Sequence, residues 1–510
     1  MPLTPPRQAS PASSNITDNE SNSSYCLLSN NDLHFLPYSN SGTPNGSMIL
    51  DKNYSLYSSF LNNKTVSSFD SHHGSSENFT INDTSGKESP IVKLLDNYES
   101  HAIFLPDHFI PLEEDDDQIG SIKQLLLDIF SHWKSPKDIK VKKLTGGITN
   151  MLLECTYTTH HDEIETVLVR TYGNGTDLII DRDREFVSHL VLHSLNLAPA
   201  IHARFGNGLV YGFISGRSLE FLELSDDKLY PLIASKLACL HKLASIDIID
   251  ESLFKLKQKF YSQSLNDQDI WSVLLDWTEK LPELDSMLEL CQSNKDICQN
   301  YNPQSTLKSI LFHEVNWLKE ELGKASVAVI SHNDLLSGNI IVPEDLNTDN
   351  WDSLKSSQLN PISFIDYEYM MPAPRAFDIA NHFMEWQGFD CDKGRIPQFI
   401  YNPDTHNYEN ETVFNWCQYY LSAFHSSNPD INPYYPDNED SIKRIDSKLV
   451  QHLVNEIAYH YGMPGLYWGI WAGIQSKISL IDFDYANYSC ERLIEYWNWK
   501  RTFLINKRTN

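Results

Sequence analysis

Cationic residues are scarce in this sequence: 40 Lys and Arg stand against 68 Asp and Glu, for a formal net charge of −28 and a pI near 5.0. So acidic a surface repels phosphate backbones and anionic bilayers, which argues against nucleic acid as a partner. Long apolar runs are also missing. The most apolar stretch, Met463 to Ile474, is broken at Gln475 and Lys477, short of the roughly 18–20 residues that a membrane-crossing helix needs. The opening residues MPLTPPRQAS carry no apolar core of a secretory leader. A soluble, cytoplasmic protein is expected, not one held in a membrane.

Cysteine is sparse as well. Eight occur in 510 residues, with no Cys-x-x-Cys pair and no Cys/His cluster at zinc spacing. Scattered buried thiols are expected in place of a disulfide framework. Asn-x-Ser/Thr triplets such as those at Asn15 and Asn63 follow from local Ser/Asn richness and are not read as glycosylation sites.

That richness marks residues 1–112, where apolar residues are scattered and no period persists. Such a segment buries too little apolar surface to offset its ordering entropy, so a disordered tail is expected, ending at the acidic run Glu113–Asp117. Two readings of it stay open, a phosphorylation or localisation segment and a neutral extension. From residue 113 to 215 the pattern predicts one compact lobe. A helix is expected over Gln118–His132 and strands over Ile139–Leu144, Asn150–Tyr157 and Ile164–Arg170. A helix over Asp183–Leu195 and strands near Ala200–Arg204 and Leu209–Ile214 complete it. Residues 216–510 read as mostly helical, with Lys228–Ala244 and Thr306–Leu322 periodic and Gly323 a suitable stop. Short strands are expected at Val327–Ile330, Asn339–Val342 and Ile362–Ile365, the last two separated by an inserted loop, Glu344–Asn360.

The chemistry concentrates between those strands. Residues 331–339 read Ser-His-Asn-Asp-Leu-Leu-Ser-Gly-Asn, placing His332, Asp334 and Asn339 at the spacing of a phosphoryl-transfer loop. In such loops the Asp accepts the proton of an attacking hydroxyl and the Asn five residues on ligates magnesium. Downstream, Asp366 follows an apolar run directly, as a second metal-binding carboxylate requires. In the first lobe, Gly146 and Gly147, with Thr149 and Asn150 after them, form a turn whose backbone N–H groups suit phosphates. Arg170 ends a strand and Glu185 opens the next helix, the places of a phosphate-binding cation and its carboxylate partner. Each element alone is common in chains of this size; their order is not.

From about residue 138 to 505 the chain resembles the choline/ethanolamine kinase family, relatives of the aminoglycoside phosphotransferases. The resemblance rests on LTGGITNMLL (144–153), VLVRTYG (167–173), REF (184–186), SHNDLLSGNI (331–340), FIDYEY (364–369), RAFDIANHFMEW (375–386) and LYWGIWAGIQSKISLIDFDY (466–485). It implies an α+β, protein-kinase-like fold with a small β-rich lobe and a larger helical one. It also implies ATP and Mg²⁺ as cofactors, with Asp334 the catalytic base and Asn339 and Asp366 the metal ligands. Arg170 would contact ATP phosphates, oriented by Glu185, under the loop Gly146–Asn150. Phe213 and Ile214 would lie in the adenine-binding hinge, and His332 would brace the loop.

The acceptor implied is a small amino alcohol, whose cation suits aromatic faces and carboxylates. Trp468 and Trp471, at i and i+3, share one helix face. The resemblance assigns them, with Glu385, to the acceptor pocket; for Phe483 and Tyr488 pocket and core packing remain equally open. Gly388-Phe389-Asp390 stands where choline kinases place an aromatic, and a carboxylate such as Asp390 or Asp482 would suit a primary ammonium. Leu335-Leu336 and Thr149 resemble the ethanolamine-using branch. The implied reaction is ethanolamine phosphorylation, the first step of phosphatidylethanolamine synthesis by the CDP-ethanolamine route. Choline phosphorylation is the alternative, a kinase-fold scaffold the non-enzymatic one, and a homodimer is possible.

Overall fold

The computed structural model describes residues 103–111, 116–144, 150–159, 161–173, 175–261, 268–388, 391–436, 445–479 and 481–509. Gly146, Gly147, Thr149, Asp390 and the Ser/Asn-rich residues 1–102 lie outside them.

Alternation of apolar and polar residues builds the first lobe. Strands β1 (Ile103–Leu105), β2 (Ile139–Leu144), β3 (Asn150–Thr158), β4 (Ile164–Tyr172), β5 (Ile201–Phe205) and β6 (Gly208–Gly212) form one sheet in the order β1-β5-β6-β4-β3-β2. Leu153, Cys155 and Tyr157 of β3 and Val167 and Val169 of β4 share one face, buried with Ile122, Leu125 and Leu126 of helix α1 (Asp116–Ile129). Arg170 falls on the opposite face by the period of two, paired across the ladder with Leu152 and Leu209. That face looks toward α2 (Arg182–Ser194), whose Phe186, Val187, Leu190 and Val191 join the main core.

Residues 103–111, which the expected tail included, pack against the sheet. Ile103–Leu105 pair in parallel with Ala203–Phe205, and Ile110 exchanges two hydrogen bonds with the Asn207 side chain. Three apolar residues suffice because β5 offers a ready edge. The strand expected to reach Ile214 ends at Gly212. Residues 213–216 then cross to β7 (Arg217–Ser218). Gly216 turns that crossing at φ +142°, where a Cβ would lie 2.3 Å from the Val342 carbonyl.

The second lobe is helical around short ladders. Its helices are α3 (Tyr230–Leu243), α4 (Ile246–Tyr261), α5 (Ile270–Lys280), α6 (Asp285–Ser293), α7 (Leu307–Leu322), α8 (Arg375–Glu385), α9 (Glu411–His425), α10 (Ser447–His460), α11 (Met463–Ile478) and α12 (Tyr485–Thr509). Helices α11 and α12 pack closely because glycines line their contact: a Cβ on Gly465 would lie 2.6 Å from the Arg492 carbonyl. Strands β8 (Ala328–Ser331), β9 (Ile340–Val342), β10 (Ser363–Phe364) and β11 (Met371–Pro374) carry the polar loops between them. Strand β11 was not expected, since Met-Pro-Ala-Pro reads as a strand breaker; as one half of a two-stranded ladder with β8 it tolerates prolines that donate nothing. The inserted loop contains a single helical turn, Trp351–Leu354, capped by the Asn350 side chain. Seven described cysteines are free thiols, and among the described residues no helix is long and apolar enough to cross a membrane.

Candidate active site

Two ladders clamp two loops side by side. Strand β8 pairs antiparallel with β11, and β9 with β10, so residues 332–339 and 365–370 face each other. Asn333 and Asp366 turn these loops in left-handed conformations, at φ +65° and +64°. Such geometry costs a non-glycine residue about 1–2 kcal/mol, and hydrogen bonds hold it in place. The Asn333 side chain donates to Tyr369 O at 2.7 Å and its carbonyl accepts from Asn381 at 2.8 Å. Asp378, one turn into α8, accepts the backbone N–H groups of His332 and Asn333, both at 2.8 Å. His241 reaches the same carboxylate at 2.8 Å.

His332 is fully buried. Its Nε2 lies 3.0 Å from the Ile365 carbonyl and its Nδ1 accepts the Asp334 N–H at 3.3 Å. Both nitrogens are therefore engaged in backbone bonds, and burial pushes the imidazole pKa down, so the ring is neutral. Asn339 donates through Nδ2 to Asp334 O at 2.7 Å and Oδ2 at 3.2 Å, while Ile365 N–H donates to Asn339 O at 3.0 Å. Asp334, Asn339 and Asp366 thus meet in one place. Burial pushes the Asp334 carboxyl well above the usual range, and the charges of Asp366, Glu385 and Glu368 push it further. Burial likewise raises Asp366 to about 6, against the pull of Arg170.

Arg170 crosses from the first lobe into this cluster. Its Nη1 lies 2.8 Å from Asp366 and 3.5 Å from Glu185, and its Nη2 lies 2.7 Å from Glu368. Asn150, which opens β3, donates to Glu368 at 2.9 Å. Sequence reasoning passed over Glu368 and Tyr369, although both stand inside FIDYEY, and over Asp378 and Asn381, one helical turn apart in RAFDIANHFMEW. Arg182, which holds Glu185 and Glu368 at 2.9 Å each, carried no motif-level signal. Phe213 and Ile214 are half-buried in the crossing between the lobes.

No three-ligand cluster of His, Cys, Asp or Glu stands ready for a metal among the described residues. Magnesium needs no such cage, because it keeps water and phosphate ligands beside one or two carboxylates. The donors present are hard oxygens, from Asn339, Asp366 and Glu368. Four carboxylates (Asp334, Asp366, Glu185 and Glu368) outnumber the two guanidinium groups among them, so the residues fit a divalent cation.

An aromatic cluster packs near Asp334, whose charge bears on the Tyr369 member of it. Trp468 and Trp471 of α11 meet edge to face at 5.3 Å and are 4% and 2% exposed, so both also belong to the core. The Trp471 indole donates to the Tyr369 hydroxyl at 3.0 Å. Glu385, at the end of α8, is half-buried, and burial raises its carboxyl despite the opposing charge of Arg492. Phe483 packs on Tyr485 and Tyr488, with centroids at 4.8 and 5.7 Å. Burial raises the Tyr488 hydroxyl, Arg492 opposes this, and the nearby Glu385 charge adds to it. Asp482 is exposed.

Residues 141–497 match the model of the family described as choline/ethanolamine kinase. A probable ethanolamine kinase of Nematostella vectensis is 31% identical over 395 residues, covering 76% of this chain and 95% of that protein. Human ethanolamine kinase 1 is 29% identical over 378 residues, covering 74% and 70%. The solved structure of a Plasmodium vivax ethanolamine kinase superposes with a TM-score of 0.54 at 23% identity, covering 81% of this chain and 96% of that one. This likeness shows the two-lobed, protein-kinase-like fold. With the matched region spanning both lobes and every loop described above, the chain belongs to the choline/ethanolamine kinase family.

Proposed function

We propose that this protein transfers the γ-phosphoryl group of ATP to the hydroxyl of ethanolamine, giving phosphoethanolamine and ADP. One arrangement carries the reading: Asp334, Asn339 and Asp366 meet at the place that Arg170 reaches, 2.8 Å from Asp366, and the charges of Asp366 and Glu385 both bear on Asp334. A hydroxyl presented to Asp334 would then have a phosphate-facing carboxylate, Asp366, and a cation-facing one, Glu385, within electrostatic reach. In this reaction the bond from γ-phosphorus to the β–γ bridging oxygen breaks, and the alcohol oxygen forms the new bond to phosphorus. The hydroxyl proton passes to Asp334, whose raised proton affinity suits a general base. Asn339, Asp366 and Glu368 would hold magnesium, which when bound neutralises charge on the nucleotide phosphates. Arg170 would bind phosphate oxygens, and His332 would fix the loop through its two backbone bonds.

The acceptor's cation would sit against the aromatic faces of Trp468, Trp471 and Tyr369, with Glu385 as its carboxylate. A primary ammonium has three N–H donors that need acceptors, whereas quaternary choline has none. Among the described residues no hydrogen bond or ion pair claims the Glu385 carboxylate, which favours ethanolamine. The same reading includes a lobe boundary near residue 215, a product destined for phospholipid headgroups, and assembly as a homodimer.

The test is turnover of MgATP with ethanolamine, choline and no alcohol, side by side. Ethanolamine preference supports the proposal. Choline preference overturns the acceptor assignment but leaves phosphoryl transfer intact. Silence with both, in a folded chain that binds ATP, overturns the enzymatic reading in favour of a scaffold.

A further inference from the structure

Arg182 occupies a place that the phosphoryl-transfer scheme leaves unexplained. Its Nη1 sits 2.9 Å from Glu185 Oε2 and 2.9 Å from Glu368 Oε2. Its Nη2 donates to Asn150 Oδ1 at 2.9 Å and to Thr176 Oγ1 at 2.7 Å. The Tyr172 ring lies under the guanidinium, 4.0 Å away, and fixes its plane. One side chain therefore ties the start of β3, the end of β4, α2 and the loop 365–370.

The charge arrangement gives this tie a purpose. Arg170 spends both terminal nitrogens on Asp366, Glu185 and Glu368. To bind nucleotide phosphates it must release some of those bonds, and a buried carboxylate stripped of its cation is strongly disfavoured. Arg182 already contacts the two carboxylates, Glu185 and Glu368, that Arg170 would give up. We propose that Arg182 is a positioning residue for nucleotide binding, the standing counter-ion that lets Arg170 exchange carboxylates for phosphate oxygens. The proposal rests on the nucleotide-binding part of the reading above and not on the identity of the alcohol.

ADP binding to the full chain, measured by calorimetry in EDTA, tests it without turnover. Arg182→Gln should weaken ADP binding at least tenfold, and should raise the KM for ATP in step while the KM for ethanolamine stays within twofold. Arg182→Lys keeps a charge but cannot bridge four acceptors, so it should recover only part of the loss. Adding Glu368→Gln to Arg182→Gln removes the charge that needs compensation, and should bring ADP affinity back to within about threefold of Glu368→Gln alone. A merely structural tie would show no such rescue. ADP affinity within twofold of the unmodified chain in folded Arg182→Gln would overturn the proposal. Should Arg182→Gln fail to fold, unchanged ADP affinity in Arg182→Lys would overturn it equally. An unmodified chain that binds ADP but phosphorylates neither alcohol would overturn the enzymatic reading and leave this comparison standing.

Discussion

Trp468 donates its indole N–H to Asn381 Oδ1 at 2.8 Å, and Asn381 donates in turn to the carbonyl of Asn333 in the loop that carries Asp334. Trp468 of α11 and the loop that carries Asp334 thus share one buried amide. Trp468→Phe keeps most of the ring but leaves that amide oxygen without its donor, a penalty of about 1–3 kcal/mol. We expect a lower thermal transition together with a several-fold drop in kcat. Wild-type values of both would show that the tether carries nothing.

Asp334 sits among carboxylates that oppose its ionisation. Asp334→Asn removes that repulsion, so the thermal transition should stay level or rise. Turnover should nevertheless fall by roughly 10²–10⁴-fold with the loss of the proposed base. Near-normal turnover in a folded variant would sink the assigned role.

Asp378 works by backbone contacts. Burial alone would raise its carboxyl, but the side-chain bond from His241 and the backbone N–H of Asn333 outweigh it, holding the group below the usual range. Asp378→Asn removes the charge those donors face, at a cost of about 3–5 kcal/mol by analogy with broken buried pairs. Urea unfolding measures this directly, and a change under 1 kcal/mol would contradict it.

Acid should unfold the protein through its buried imidazoles. Burial depresses His189 and His382 from the ordinary 6.5 to about 4. Between those values the unfolded chain binds protons that the folded chain refuses, so stability falls as pH falls from 6.5 toward 4. Each unit is worth about 1.4 kcal/mol per group. Thermal transitions recorded from pH 7 to 4.5 should decline, with a shallower slope for His189→Gln. A flat profile would refute the assignment.

Lys500 of α12 forms a buried ion pair with Glu314 of α7, which also accepts the Tyr496 hydroxyl. Burial pulls the Lys500 pKa down even with Glu314 beside it. Lys500→Met should cost about 3–5 kcal/mol by leaving Glu314 unpaired, whereas Lys500→Met with Glu314→Leu should come close to neutral. A double variant no more stable than the single one would exclude this account.

Local patterns made much of the fold legible. The period of two in residues 139–158 and the apolar stripe Phe186–Val191 each describe a segment that buries one face. Patterns failed where the deciding partner was distant. Met371–Pro374 reads as a breaker until β8 is known to lie beside it. Ile103–Leu105 looks too short to order until β5 offers an edge. Trp468 and Trp471, spaced for a pocket, prove also to be core.

By itself the sequence determined that His332, Asp334 and Asn339 lie within one loop, close enough in the chain to share a site. Tertiary structure decided which charges that site shares. Arg170 meets Asp366 across 196 residues and Asn150 meets Glu368 across 218. No local period encodes such pairs: they form because the sheet and the helical lobe close on each other and bury these groups, where each carboxylate must find a cation or a donor.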